Sequence, residues 1–315
     1  MAKHHHAGRL VLILLSVFLF VLSLLFNGLS VTALSPFSTT TGNVSAVFET
    51  EITPSGWTFS IWSVIYVWLT LMLIYILANL CRKNAYGYVY CSPPVLPYGF
   101  FLCWCLNLVC NISWLLVWDR GLMIAALVFL ILVAGTNYAT IAFACHGLHV
   151  YGPWLKKYHN ADLWLIRVLV QNGVMIYTTW TTIATLINLT IVLTYEAKMA
   201  PADAATVSYC ALTLVLLVWF FVENVVLDKH VRYILINYPV VIWALAGNFD
   251  KNYDAAAPSR SGIFIVVLLA AASFMFAVRL VLVFWRHCKQ PLYDNVRPEA
   301  MEPMEAAQNQ RKALR

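Results

Sequence analysis

Charge is scarce in this chain. Asp, Glu, Lys and Arg together make up 11% of its 315 residues, too little to hydrate the outside of a soluble globule of that size. From residue 58 to residue 80 there is no charge at all, and residues 28–56 contain neither Lys nor Arg. Other absences narrow the chemistry. The eight cysteines show no pair spacing of a zinc site or a redox dithiol, and most lie within or beside apolar runs, which argues against a disulfide framework. No Ser-His-Asp set, paired carboxylate or zinc signature falls within one leaflet, so catalysis is not expected. What the chain does have is apolar surface: 62% of residues are hydrophobic and mean hydropathy is +0.76, values of a polytopic membrane protein. The net charge of +6 does not point to nucleic acid, because the basic residues sit in short clusters between apolar runs, as cytoplasmic loops do.

Eight apolar runs predict eight membrane helices, near residues 10–26, 58–80, 99–118, 121–144, 162–195, 204–227, 231–246 and 261–285. Residues 1–8 read as a cytoplasmic N-terminus. The first run follows Lys3 and Arg9 and just spans a bilayer. It exceeds a signal-peptide core and is followed by a poor cleavage site, which favours a retained helix; if it were cleaved, seven helices with the N-terminus outside would resemble a receptor. Residues 28–56 read as an external or lumenal loop, with Asn43-Val44-Ser45 as a glycosylation sequon. A loop with His146, His149, Lys156, Lys157 and His159 is expected between the fourth and fifth helices; those histidines lack a suitably spaced acidic or cysteine partner, so no metal is expected. Pro239 predicts a kink in the seventh helix. Residues 286–315 read as a disordered cytoplasmic tail, in which Tyr293 and Val296 fit a tyrosine-x-x-hydrophobic sorting signal. With both termini inside, sixteen of the twenty Lys and Arg are cytoplasmic, all but Arg120, Lys198, Lys251 and Arg260. The plasma membrane or the endomembranes of the secretory pathway fit this arrangement.

The stretch from Thr53 to Tyr66 joins a turn at Pro54 and Gly56 to the second helix. Trp57, Phe59, Trp62 and Tyr66 read equally as an interfacial aromatic belt or as the wall of a pocket for a flat apolar ligand. Asn107, Asn111, Asn137, Gln171, Asn172 and Asn188 lie inside the membrane runs, where amides serve as interhelical glue or orient a ligand. Arg167, near a helix end, is expected to snorkel to the headgroups. Glu223 and Arg279 fall at similar depths in the same leaflet, so pairing would lower the cost of both; the alternative is a snorkelling Arg279 with Glu223 neutral or paired to Arg232.

Over residues 9–195 the chain resembles the translocator protein family, also known as tryptophan-rich sensory proteins or peripheral benzodiazepine receptors, a family of five-helix membrane proteins. Three patterns carry the resemblance: Pro54, Trp57, Phe59, Trp62 and Tyr66 opening the second helix; Asn111 and Trp114 before a tight hairpin; and Tyr177, Trp180 and Asn188 in the fifth helix. What it implies is an all-α bundle that holds a porphyrin, sterol or similar flat molecule between its helices under the first loop, transporting or sensing it. No resident cofactor is required; a bound tetrapyrrole or sterol is the expectation. The expected partners are that lipophilic molecule, the bilayer and a second copy in a homodimer. A lipid-modifying enzyme is the alternative from another class. Two departures stand out. Between Phe59 and Trp62 the chain is one residue shorter than the family pattern, which predicts a differently wound helix entrance, and residues 204–285 add three helices to the family's five.

Overall fold

The protein, described by a computed structural model over residues 6–293, is an all-α polytopic membrane bundle. α1 (Ala7–Thr32) ends at Ala33, whose left-handed backbone lets its N–H bond to the Leu29 carbonyl, a common helix stop. α2 (Thr41–Val47) is a short helix of the first loop, and Thr40 caps it by accepting from the Asn43 N–H. A 3₁₀ turn (Gly56–Ser60) leads into α3 (Ile61–Cys81), so the helix entrance is tightly wound over the shortened segment. The β-hairpin of β1 (Lys83–Asn84) and β2 (Gly87–Tyr88) follows. α4 (Tyr98–Asp119) and α5 (Met123–Tyr158) form an antiparallel hairpin that reverses at Gly121, whose φ of 69° suits glycine.

From residue 160 to 196 the chain is one rod made of α6 (Asn160–Leu165), a π-helical turn (Ile166–Gln171), α7 (Asn172–Ile191) and a second π-helical turn (Val192–Glu196). α8 (Pro201–Phe221) also ends in a π-helical turn (Val222–Val226). Then come the single turn α9 (Asp228–Val231), α10 (Asn237–Asn252) and α11 (Arg260–Lys289). α7 is the hub, packing on α3, α5, α8 and α10.

Among the described residues, seven helices are long and apolar enough to cross a membrane. The remaining expected helix is α10, which has 16 residues. At about 1.5 Å per residue it falls short of a hydrocarbon core of roughly 30 Å. It nevertheless makes the return journey. α8 and α11 run the same way, since Arg260 meets Asp203 at their first turns (2.5 Å) and Arg279 meets Asn224 near their ends (2.8 Å). The chain between them must therefore come back, and α10 runs from Tyr238, bonded to Glu223, to Gly247, bonded to the first loop. Residues 227–236 complete the distance as α9 and an irregular turn. Irregular backbone at membrane depth survives only if protein satisfies its polar groups. Here Arg279 donates to the carbonyls of Val231 and Arg232, while Asn172 donates to the Tyr233 carbonyl and accepts from the Leu235 N–H.

Several expectations are corrected. The loop expected at His146–His159 is helical: α5 runs on to Tyr158, and Lys156 and Lys157 complement its C-terminal dipole. Pro239 lies in the first turn of α10, where a missing N–H costs nothing, and so starts the helix instead of kinking it. Arg167 does not reach the headgroups; it is 4% exposed and stacks on Trp164 and Tyr233 at 4.7 and 4.0 Å. α11 runs to Lys289 and the chain then folds back, with the Tyr293 hydroxyl donating to the Leu148 carbonyl. Tyr293 is thus packed on α5, and Val296 lies outside the described residues.

Candidate functional site

The interior of the bundle is built from three helical faces. On α4, Trp104, Asn107, Asn111, Trp114 and Trp118 recur at three- and four-residue steps and are all buried, one stripe along the helix. α7 presents Tyr177 and Trp180, and α3 presents Trp62 and Tyr66. Trp62 sits where they meet. Its ring stacks on Tyr66 at 5.7 Å and on Trp114 at 6.4 Å, and meets Tyr177 at 6.1 Å and Trp180 at 6.2 Å nearly edge-on. Phe59 closes on Trp180 at 6.2 Å. These are the spacings and tilts that aromatic pairs favour.

Six of the expected ligand contacts, Phe59, Trp62, Tyr66, Trp114, Tyr177 and Trp180, therefore stand together. Trp57 does not join them. It is 45% exposed, meets Trp243 of α10 at 4.9 Å and donates to Asp250 at 3.0 Å. Asn111 acts as glue between α1 and α4, accepting from Ser23 and Asn27 at 3.1 Å each. Asn188 lies two turns beyond Trp180, its amide against the Met123 sulfur. Two members were missed by sequence reasoning. Phe20 of α1 contacts Tyr66 and Trp104 at 6.5 and 6.4 Å, and Trp104 also meets Tyr177. Trp104 was legible as the first member of the α4 stripe; Phe20, in a uniformly apolar helix, carried no such signal.

The polar atoms of this cage are its distinctive feature. The indole N–H groups of Trp104, Trp114 and Trp180 and the Tyr66 hydroxyl are buried without a hydrogen-bond partner among the described residues. Each such group costs about 1–3 kcal/mol. Neutral donors between ring faces suit an apolar, flat molecule that carries a few acceptor oxygens or nitrogens.

The first loop covers one end. Phe37 and Val44 pack on Trp114 and Trp118, and Trp118 donates to the Thr41 carbonyl. The loop is tied down at both sides. Asp119 accepts from the backbone of Ser38 and Thr39, while Ser55 donates to the Gly247 carbonyl and Lys251 pairs with Glu49 at 2.7 Å. Asn43 is exposed on α2, whereas Ser45 of its sequon is buried.

The second polar centre is the one between α8 and α11. Glu223 and Arg279 are both 0% exposed and stand 3.6 Å apart. Glu223 also accepts from the Tyr238 hydroxyl. Arg232, the alternative partner, is bound to Asp228, which Arg286 shares at 2.6 Å. The histidines are scattered: His149 stacks on His230, and His159 lies against Trp154. All eight cysteines are free.

A helical polytopic membrane protein with a tryptophan-lined interior beneath a tethered loop is the class these features define. Within that class, the sequence profile of the family described as TSPO-like protein matches residues 13–282, and the chain belongs to that family. The match takes in α8, α10 and most of α11, and so reaches past residue 195, where the resemblance of the tryptophan patterns stopped. No curated protein and no solved structure matches the chain.

Proposed function

We propose that the chain binds a flat lipophilic molecule, of the porphyrin or sterol kind, among Phe20, Trp62, Tyr66, Trp104, Trp114, Tyr177 and Trp180. One observation carries this reading: three indole donors and one phenol donor are buried without a partner among the described residues in one aromatic cage, a cost that a ligand acceptor would offset. α1 supplies Phe20 to the cage, which favours its retention over the seven-helix receptor reading. Under this reading both termini lie in the cytoplasm and the first loop outside. Two of the four basic residues assigned outside support it, because Lys251 pairs with Glu49 of the first loop and Arg260 with Asp203 at the same end of the bundle. Asn43 would then carry the glycan.

The test uses tryptophan quenching by protoporphyrin and by a fluorescent sterol on the purified chain. Trp180→Phe keeps a ring and removes the donor; the loss of one neutral hydrogen bond, about 0.5–1.5 kcal/mol, should weaken binding roughly 2- to 13-fold. Unchanged affinity for both ligands in Trp180→Phe, Trp104→Phe and Trp114→Phe would reject the cage as the site.

A further inference from the structure

The chain does not leave the bundle where α11 ends. Arg232 donates to the Gln290 carbonyl at 2.6 Å and Lys156 of α5 to that of Leu292 at 3.3 Å, so residues 290–292 turn back along the bundle. The next residue, Tyr293, is half-buried and packs on the core. Its hydroxyl donates to the Leu148 carbonyl at 3.3 Å, and the Arg167 guanidinium stands 5.9 Å from the centre of its ring. The seat has the shape of a ring, because Gly152 leaves the space open: a Cβ at that position would strike Tyr293.

The seat holds Tyr293 against its own backbone preference. Its φ is 74°, a left-handed value that a residue other than glycine keeps only where its surroundings enforce it. Release relaxes that backbone, which offsets part of the lost contacts and brings the free state within reach. Tyr293 also heads the segment Tyr293-Asp294-Asn295-Val296, the tyrosine-x-x-hydrophobic pattern. A protein that reads such a peptide must take the phenol ring into a pocket of its own. The bundle already holds that ring. We propose that the seat on α5 is an autoinhibitory site: it keeps Tyr293 from a cytosolic receptor of tyrosine-x-x-hydrophobic peptides, so that bundle and receptor compete for one side chain. This rests on the reading that α11 ends in the cytoplasm.

Chymotrypsin, which cuts after large apolar side chains, reads the docked state on the full chain in nanodiscs. Where opening is fast relative to cleavage, the rate follows the population of the free form. Tyr293→Phe keeps a cleavable ring and removes the hydroxyl; cleavage after residue 293 should rise roughly 2- to 13-fold, as the loss of one neutral hydrogen bond predicts. Gly152→Ala leaves the tail sequence intact and should raise it roughly 5- to 150-fold by crowding the ring out. In cells, Gly152→Ala and Lys156→Gln, which removes the donor to Leu292, should both speed the removal of surface-biotinylated chain, and Tyr293→Ala added to either should cancel the gain. Following only chain that has reached the surface leaves out molecules that failed to fold. Parent-level cleavage in both Tyr293→Phe and Gly152→Ala would show that the ring does not occupy the seat and overturn the proposal. Faster cleavage with unchanged surface removal would overturn the masking. Release of residues 294–315 by chymotrypsin added to intact cells would put the tail outside, refuting the topology and the proposal with it.

Discussion

The aromatic cage and the ionic centre between α8 and α11 handle buried polarity in opposite ways. In the cage, neutral donors are left without partners among rings. In the ionic centre the charges face one another at 3.6 Å; Glu223 Oε2 and Arg279 Nε make no hydrogen bond among the described residues, while the other guanidinium nitrogens donate to the Asn224 side chain and to the carbonyls of Glu223, Val231 and Arg232. One region meets its buried polar groups with opposite charge and with backbone, while the other leaves them among rings. The two regions are not independent, because the loop segment 49–58 bonds to the rod that carries α7 and to α8 and α10. Tyr195 and Tyr209 donate to the Glu49 and Glu51 carbonyls, and Trp243 donates to the Thr58 carbonyl.

The strongest challenge to this contrast is to remove a charge. Glu223→Gln should leave Arg279 buried and unpaired, lowering stability by about 3–5 kcal/mol, and Glu223→Gln with Arg279→Gln should recover much of that in thermal unfolding. Strictly additive losses would show that the two charges do not support each other. Next comes Tyr238→Phe, which deletes a hydrogen bond to a charged group and should cost about 1.5–3 kcal/mol. The joint between the regions is tested at Gly247, where an added Cβ would lie 1.8 Å from the Thr58 hydroxyl oxygen. Gly247→Ala should cost about 1–3 kcal/mol by overpacking, and Thr58→Ala should restore part of it. The change of opposite sign sharpens the comparison most: Tyr66→Phe removes a hydroxyl that has no partner among the described residues and should raise stability by up to about 1–3 kcal/mol, in contrast to Tyr238→Phe.

The helices were legible in the sequence wherever an uncharged run exceeded about 17 residues. The extra length of α5 was not. Residues 146–159 read as a loop, yet two glycines in that stretch serve close packing: a Cβ at Gly147 would lie 1.8 Å from the Val95 carbonyl oxygen, and one at Gly152 would strike the Tyr293 ring. Nothing local distinguishes a glycine needed for a turn from one needed for contact. The break at residues 227–236 was hidden for a related reason, since the groups that satisfy it, Asn172 and Arg279, lie some 60 residues before and about 45 residues after it. Six members of the cage were readable because tryptophans and tyrosines at helical spacing stand out, whereas Phe20 among leucines and valines does not. Trp57 was misplaced because a sequence cannot show that a ring at a helix mouth has turned outward to Asp250.

The Glu223–Arg279 pair also has a consequence for the order of synthesis. Glu223 leaves the ribosome 56 residues before Arg279, with the whole of α10 and its flanking turns in between. During that interval Arg232 and not Arg279 is the cation within reach of Glu223, and the carbonyls of Val231 and Arg232 lack the donor that later satisfies them. α8, α9 and α10 therefore reach their final hydrogen bonding only once α11 delivers its arginine.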